Sequence, residues 1–159
     1  MIKQILTILI TFAAPLPFWL ILLHVFLKRK YFPVKFLSYI SIGFLWLITG
    51  YFAFKYQNLL FADKFQPNLI LQLLGIFVVI IALIIDFQVI KNLGWKRLIC
   101  MTEFQRKNTS DQFVTSGIYQ FARHPRYIEY ILISLGLSLI FSYKFLFLFT
   151  IYLFLGFWL

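Results

Sequence analysis

Five apolar runs, separated by short clusters of lysine and arginine, divide this chain from end to end. The runs extend over about Ile5–Leu27, Phe36–Phe54, Leu69–Ile85, Pro125–Phe141 and Phe145–Leu159. A 20-residue helix is roughly 30 Å long, the thickness of one bilayer hydrocarbon core. The first three runs, at 23, 19 and 17 residues, are long enough to span; the last two, at 17 and 15, are short and joined through Ser142-Tyr143-Lys144, which reads as a tight hairpin turn. Hydrophobic residues make up 62% of the 159 residues and charged residues 13%, against roughly a quarter charged in a soluble domain. A small globule leaves much of its surface in water and cannot hide so much apolar area. The pattern predicts an all-α, polytopic transmembrane bundle of about five helices in a single membrane domain. Within it, 1–66 holds two N-terminal helices, and 67–159 holds the remaining core.

The prolines fit this reading. Pro15 and Pro17 interrupt the first run, and membrane helices tolerate such kinks where neighbours satisfy the freed carbonyls. That run passes well beyond the length of a signal-peptide core and ends in Lys28-Arg29-Lys30, a stop-transfer flank rather than a cleavage site. Eleven basic residues lie in the loops after the first and third runs, at positions 28–30, 35, 91, 96, 97, 106, 107, 123 and 126, against four on the other side, Lys3, Lys55, Lys64 and Lys144. The positive-inside rule therefore places the long loop 91–124 in the cytoplasm and the N-terminus outside.

The net charge of +10 is spread over these inter-helical clusters, so it speaks for membrane topology and against a nucleic-acid partner. A single cysteine, Cys100, excludes an internal disulfide and a cysteine-built metal site. His24 and His124 lie too far apart for zinc-ligand spacing, so no metal is expected. Cys100 and His24 read as structural.

Chemistry concentrates between Phe113 and Tyr127. Ser116-Gly117 marks a turn in which glycine can take positive φ. Pro125 suits the first turn of a helix and puts His124 at its cap. The mouth of such a helix offers free N–H groups and the positive end of the helix dipole. Arg123 and Arg126 add two cations, and the ensemble is suited to a carboxylate or phosphate. His124 and Tyr127 share a face at i,i+3. Topology alone also puts basic residues at a cytoplasmic helix end. Asp86 and Glu129 are carboxylates near membrane depth, which is costly and therefore informative. Glu129 is three residues beyond Arg126, within reach of an ion pair.

The run Phe113-Val114-Thr115-Ser116-Gly117-Ile118-Tyr119 followed by Arg123-His124-Pro125-Arg126-Tyr127 resembles the signature of the isoprenylcysteine carboxyl methyltransferase and phospholipid methyltransferase superfamily. Leu93-Gly94 resembles the Leu-Gly that precedes the loop in that family, and the likeness covers about Asp86 to Gly136. The resemblance implies a membrane-embedded methyltransferase that uses S-adenosylmethionine on a lipid or isoprenylated-cysteine substrate entering from the bilayer. By position it implies cofactor contacts from Asp111, Gln112, Phe113, Val114, Tyr119, Arg123, His124, Pro125, Arg126 and Tyr127. It assigns no residue of this chain to a catalytic role.

Two departures stand beside the likeness. The glycine usual after Tyr-x is Glu129 here. Family members also follow the last helix with an Arg and a Glu-Glu pair, whereas no carboxylate follows Glu129 before Trp158-Leu159. A C-terminally incomplete core, a site completed differently, and a catalytically inactive module of the same fold all remain open at this point. A more distant likeness, to membrane steroid reductases that use NADPH, rests on a Pro-Asn-Tyr helix start followed by Gly-Glu. Arg126 stands in place of that Asn, and Glu129 falls one position early.

Overall fold

A computed structural model of the chain describes residues 1–19, 32–98, 117–122 and 124–158. Every regular element among them is helical: α1 (Ile2–Ala13), α2 (Phe32–Lys55), the single turn α3 (Gln57–Leu60), α4 (Leu69–Leu98), a 3₁₀ turn (Gly117–Gln120), α5 (Pro125–Phe141) and α6 (Lys144–Trp158). Residues 99–116, with Cys100, and residues 20–31, with His24, lie outside the described residues.

Two helical stretches, Ile2–Trp19 and Leu69–Asn92, are long and apolar enough to cross a membrane. Their outward faces are unlike those of a soluble protein. On α4, Leu69, Ile70, Phe77 and Phe87 are all exposed, and on α2 so are Phe44, Leu47 and Tyr51. Large apolar side chains exposed in such numbers suit a lipid-like solvent.

The first helix breaks at Ala14-Pro15 and resumes over residues 16–19. Neighbouring helices supply donors at the break, as the two prolines lead one to expect. Trp46 Nε1 of α2 donates to the Phe12 carbonyl at 3.3 Å, and the Tyr152 hydroxyl of α6 donates to the Ala14 carbonyl at 2.7 Å. Pro17 packs against Gly156, where an added Cβ would lie 2.5 Å from the Pro17 Cβ.

The closest helix pair is α4 with α5. Its seam is built on two glycines. A Cβ on Gly75 would come within 2.8 Å of the Gly136 carbonyl oxygen, and one on Gly136 within 2.5 Å of Val79 Cγ2. Without hydrophobic drive between helices in lipid, close backbone approach through small residues is how van der Waals contact is gained. Ala82 and Val89 continue the buried face of α4.

Helices α5 and α6 form the hairpin expected at Ser142-Tyr143-Lys144. Ser142 caps α5 in the left-handed region, at φ 57° and ψ 26°. The segment after α3 closes over this turn: Phe65 N donates to Ser142 O at 2.7 Å and Lys144 N to Asp63 O at 3.2 Å. Along the hairpin, the Ser134 and Thr150 hydroxyls lie 2.8 Å apart and Thr150 Oγ1 donates to Leu146 O at 2.9 Å. The buried cluster joins α1 to this hairpin through Leu6, Ile10, Phe61, Tyr143, Leu146, Phe149 and Leu153.

One boundary differs from the sequence expectation. The long loop was expected to begin at about Lys91, yet α4 continues through Leu98 with a kink at Gly94, where φ is 70° and ψ 153°. The amphipathic stretch after Asp86 stays helical where tertiary contacts favour it. Val89 is fully buried, and the Asn92 side chain lies directly against Gly117 of the 3₁₀ turn.

Candidate functional site

The 3₁₀ turn, the first turns of α5 and the last turn of α6 meet at one end of the bundle. Gly117 opens the turn at φ 65°, the positive value its position before Tyr119 requires. The Asn92 side chain fills the space that a Cβ on Gly117 would need. The turn is thereby fixed against α4 at the point where it leads into α5.

Pro125 occupies the first turn of α5 and is buried, with His124 as N-cap. The His124 side chain makes no capping hydrogen bond. Pro125 has no N–H to satisfy, and the positive end of the helix is left without a side-chain acceptor. The exposed His124 ring turns instead onto Tyr127, with ring centroids 4.8 Å apart and planes 14° apart. Tyr127 in turn lies flat on Phe157 of α6, at 4.5 Å and 7°. Tyr130 adds a looser contact with Phe157, at 6.2 Å. Three rings from two helices thus form a continuous stack beside the mouth of α5.

Arg126 folds back along α5. One guanidinium nitrogen donates to the Tyr130 hydroxyl at 3.1 Å, and the guanidinium carbon lies 5.6 Å from the Tyr130 ring centroid. Its Nε is buried without a partner. Nor does Arg126 form an ion pair with Glu129; among the described residues the ion pair within 4.0 Å joins Lys144 and Asp63. Arg126 does stand close enough to Tyr119 to act on its hydroxyl. Burial pushes the Tyr119 phenol above its ordinary value, and the Arg126 charge opposes that shift.

Glu129, at 5% exposure, is buried on the inner face of α5. The Asp86 side chain reaches it from α4. The Glu129 Oε2 atom has no hydrogen-bond partner. The two carboxylates singled out from the sequence therefore belong together, on the seam between α4 and α5.

Of the residues that the signature likeness implies for the cofactor, Tyr119, His124, Pro125, Arg126 and Tyr127 come together at this corner. Asp111, Gln112, Phe113, Val114 and Arg123 lie outside the described residues. Phe157 joins the corner without having been foreseen. In a segment as rich in phenylalanine as 145–157, one more ring carries no local signal. No group of three or more His, Cys, Asp or Glu side chains suited to a metal occurs among the described residues.

The corner suits a ligand that carries both a flat ring and an anionic group. The exposed His124 ring, at the outer end of the stack, offers a flat face to another ring. The helix mouth has no side-chain cap, although Tyr127 N donates to His124 O at 3.1 Å, and its positive end suits an anion. A comparison with protein-family models matched residues 70–159 to the phospholipid methyltransferase family. No curated protein and no solved structure matched the chain. The matched span runs from the start of α4 to the end of α6 and contains the whole corner, and on that match the chain belongs to the phospholipid methyltransferase family.

Proposed function

We propose that this protein is a membrane-embedded methyltransferase that binds S-adenosylmethionine at the corner formed by Tyr119, His124, Pro125, Arg126 and Tyr127 and acts on a lipophilic acceptor, a lipid or an isoprenylated-cysteine type of molecule, reaching it from the bilayer. The observation that carries the reading is the ring stack of His124, Tyr127 and Phe157 beside an uncapped helix mouth, in a chain of this family. In the same reading the chain is a bundle of about five membrane helices, with its N-terminus outside and loop 91–124 cytoplasmic, as the basic residues predict. Asp111, Gln112, Phe113, Val114 and Arg123 complete the cofactor contacts from that loop and the residue before the cap.

When bound, S-adenosylmethionine supplies an electrophilic methyl group for in-line transfer. The work left to the protein is positioning and exclusion of water. The mouth of α5 would hold the carboxylate, and the His124 ring, backed by Tyr127, would orient the adenine. Phe157 keeps Tyr127 flat, and Gly117 with Asn92 holds the entry to α5 in place.

The test is binding of S-adenosylhomocysteine to the purified full chain in detergent, by calorimetry. Saturable binding is expected, weakened in His124→Ala. A folded protein that binds neither S-adenosylhomocysteine nor S-adenosylmethionine overturns the proposal, and binding of NADPH in their place points to reductase chemistry. Cysteine labelling of loop positions in intact cells tests the orientation: labelling from outside reverses it.

A further inference from the structure

A cavity of about 330 Å³ lies between α1 and the hairpin of α5 and α6. Its volume is within the range of small-molecule sites, roughly 300–1,000 Å³. Leu9 and Ile10 of α1, Trp46 of α2, Ile133 of α5 and Leu153 of α6 form apolar walls, and Glu129 is among the residues lining it. Leu9 is 43% exposed and Phe12, which also lines the cavity, 60% exposed. The cavity therefore opens along the flank of α1, on the surface that faces lipid in the membrane reading.

Its one acid sets the chemistry. Glu129 is 5% exposed, and its Oε2 is buried with no hydrogen-bond partner. The other polar lining groups are engaged elsewhere: the Ser134 hydroxyl pairs with Thr150 at 2.8 Å, and the Tyr130 hydroxyl accepts from Arg126 at 3.1 Å. A buried polar atom without a partner is uncommon and calls for a cause. Asp86 reaches Glu129 from α4, and a carboxyl group in the wall of an otherwise apolar pocket is matched by a donor on an otherwise apolar molecule.

We infer that this cavity is a binding site for an amphiphile from the bilayer, with an apolar body between α1 and α5 and a hydrogen-bond-donating head, hydroxyl or amine, received by Glu129. The inference goes beyond the cofactor corner. It stands on the cavity and on Glu129 and holds whether or not His124 and Tyr127 receive S-adenosylmethionine.

The test uses the full chain in phosphatidylcholine vesicles, without S-adenosylhomocysteine, so that it succeeds or fails separately from cofactor binding. Three photoreactive probes carry the same diazirine-bearing decyl chain and end in a hydroxyl, an amine or a methyl ether. Labelling of α1 and α5 peptides is read by mass spectrometry, relative to labelling of bulk lipid. At least one donor probe is expected to label about tenfold more than the ether, the size of one hydrogen bond to an acidic group. Whichever donor is stronger identifies the head group, and either supports the site. Glu129→Leu is expected to erase the preference over the ether, and Ile133→Trp, which fills the cavity, to lower labelling by all three. Ether labelling equal to that of both donors in the unaltered protein overturns the inference, even if a variant fails to fold. A donor preference that survives in folded Glu129→Leu overturns it as well.

Discussion

Tyr127 and Phe157 lie ring on ring, 4.5 Å apart and 7° from parallel, and so tie the first turn of α5 to the last turn of α6. Such a pair contributes about 0.5–1.5 kcal/mol beyond the area it buries. Phe157→Leu keeps an apolar side chain but removes the ring on which Tyr127 rests. S-adenosylhomocysteine affinity is expected to fall roughly 3- to 10-fold, the same energy written as a ratio. Phe157→Tyr keeps the ring and is expected to retain affinity near the original. Calorimetry on the two variants beside the unaltered protein checks the pair. Equal losses in both would show that ring stacking is not what Phe157 contributes.

The seam of α4 and α5 leads to a stability prediction. Gly75 and Gly136 each face the other's carbonyl oxygen, at 2.8 Å from where a Cβ would stand. An added methyl must push the helices apart along the most extensive helix interface among the described residues. Gly136→Ala is expected to cost about 1–3 kcal/mol, the usual range for overpacking. Gly43, which has nothing within 4 Å of its Cβ position, provides the control, and Gly43→Ala is expected to be neutral or slightly stabilising because alanine favours helix. Unfolding of both variants by dodecyl sulfate in mixed micelles, followed by circular dichroism, measures the difference.

Much of this architecture is legible in the sequence, and the rest is not for definable reasons. Pro125 announces the start of α5 because proline needs no N–H partner there, and Ser142-Tyr143-Lys144 interrupts two apolar runs at the observed turn. The extension of α4 past Lys91 is hidden, because residues 91–98 mix basic residues with Leu93, Gly94 and Trp95, and contacts such as that of Asn92 with Gly117 are not visible in the sequence. The inward turn of Arg126 is hidden too. A basic residue at a helix mouth carries the same sequence signal whether it waits for an anion or donates to Tyr130. Asp86 and Glu129 are each conspicuous in an apolar run, but their meeting depends on how α4 and α5 pack, which the glycine spacing alone does not specify.

The turn before the corner is under two constraints at one residue. Gly117 has φ 65°, and the Asn92 side chain occupies the place of its missing Cβ. Gly117→Ala meets both the left-handed penalty, about 1–2 kcal/mol, and the collision with Asn92. Asn92→Ala removes the collision and leaves the penalty. The double variant is therefore expected to be more stable than Gly117→Ala by itself, a non-additivity that a thermal double-mutant cycle detects. Strict additivity would mean that the two residues do not touch in solution.

Tyr119 makes the end of the bundle sensitive to alkali. Burial holds its phenol above the ordinary value of 10.0, against a smaller opposing effect from Arg126. The sign follows from proton counting. With the folded pKa raised, the folded state keeps a proton that the unfolded chain begins to lose near pH 10, so stability present below that pH declines as pH rises through the folded pKa. Tyr119→Phe removes the titrating group and keeps the ring. The variant is expected to lose less stability than the unaltered protein between neutral pH and the region above pH 10, while the two respond alike to pH below it. Thermal midpoints measured across that span, with both proteins in the same detergent, give the comparison. Parallel curves above pH 10 would mean that the Tyr119 hydroxyl ionises as freely in the folded protein as in the unfolded chain.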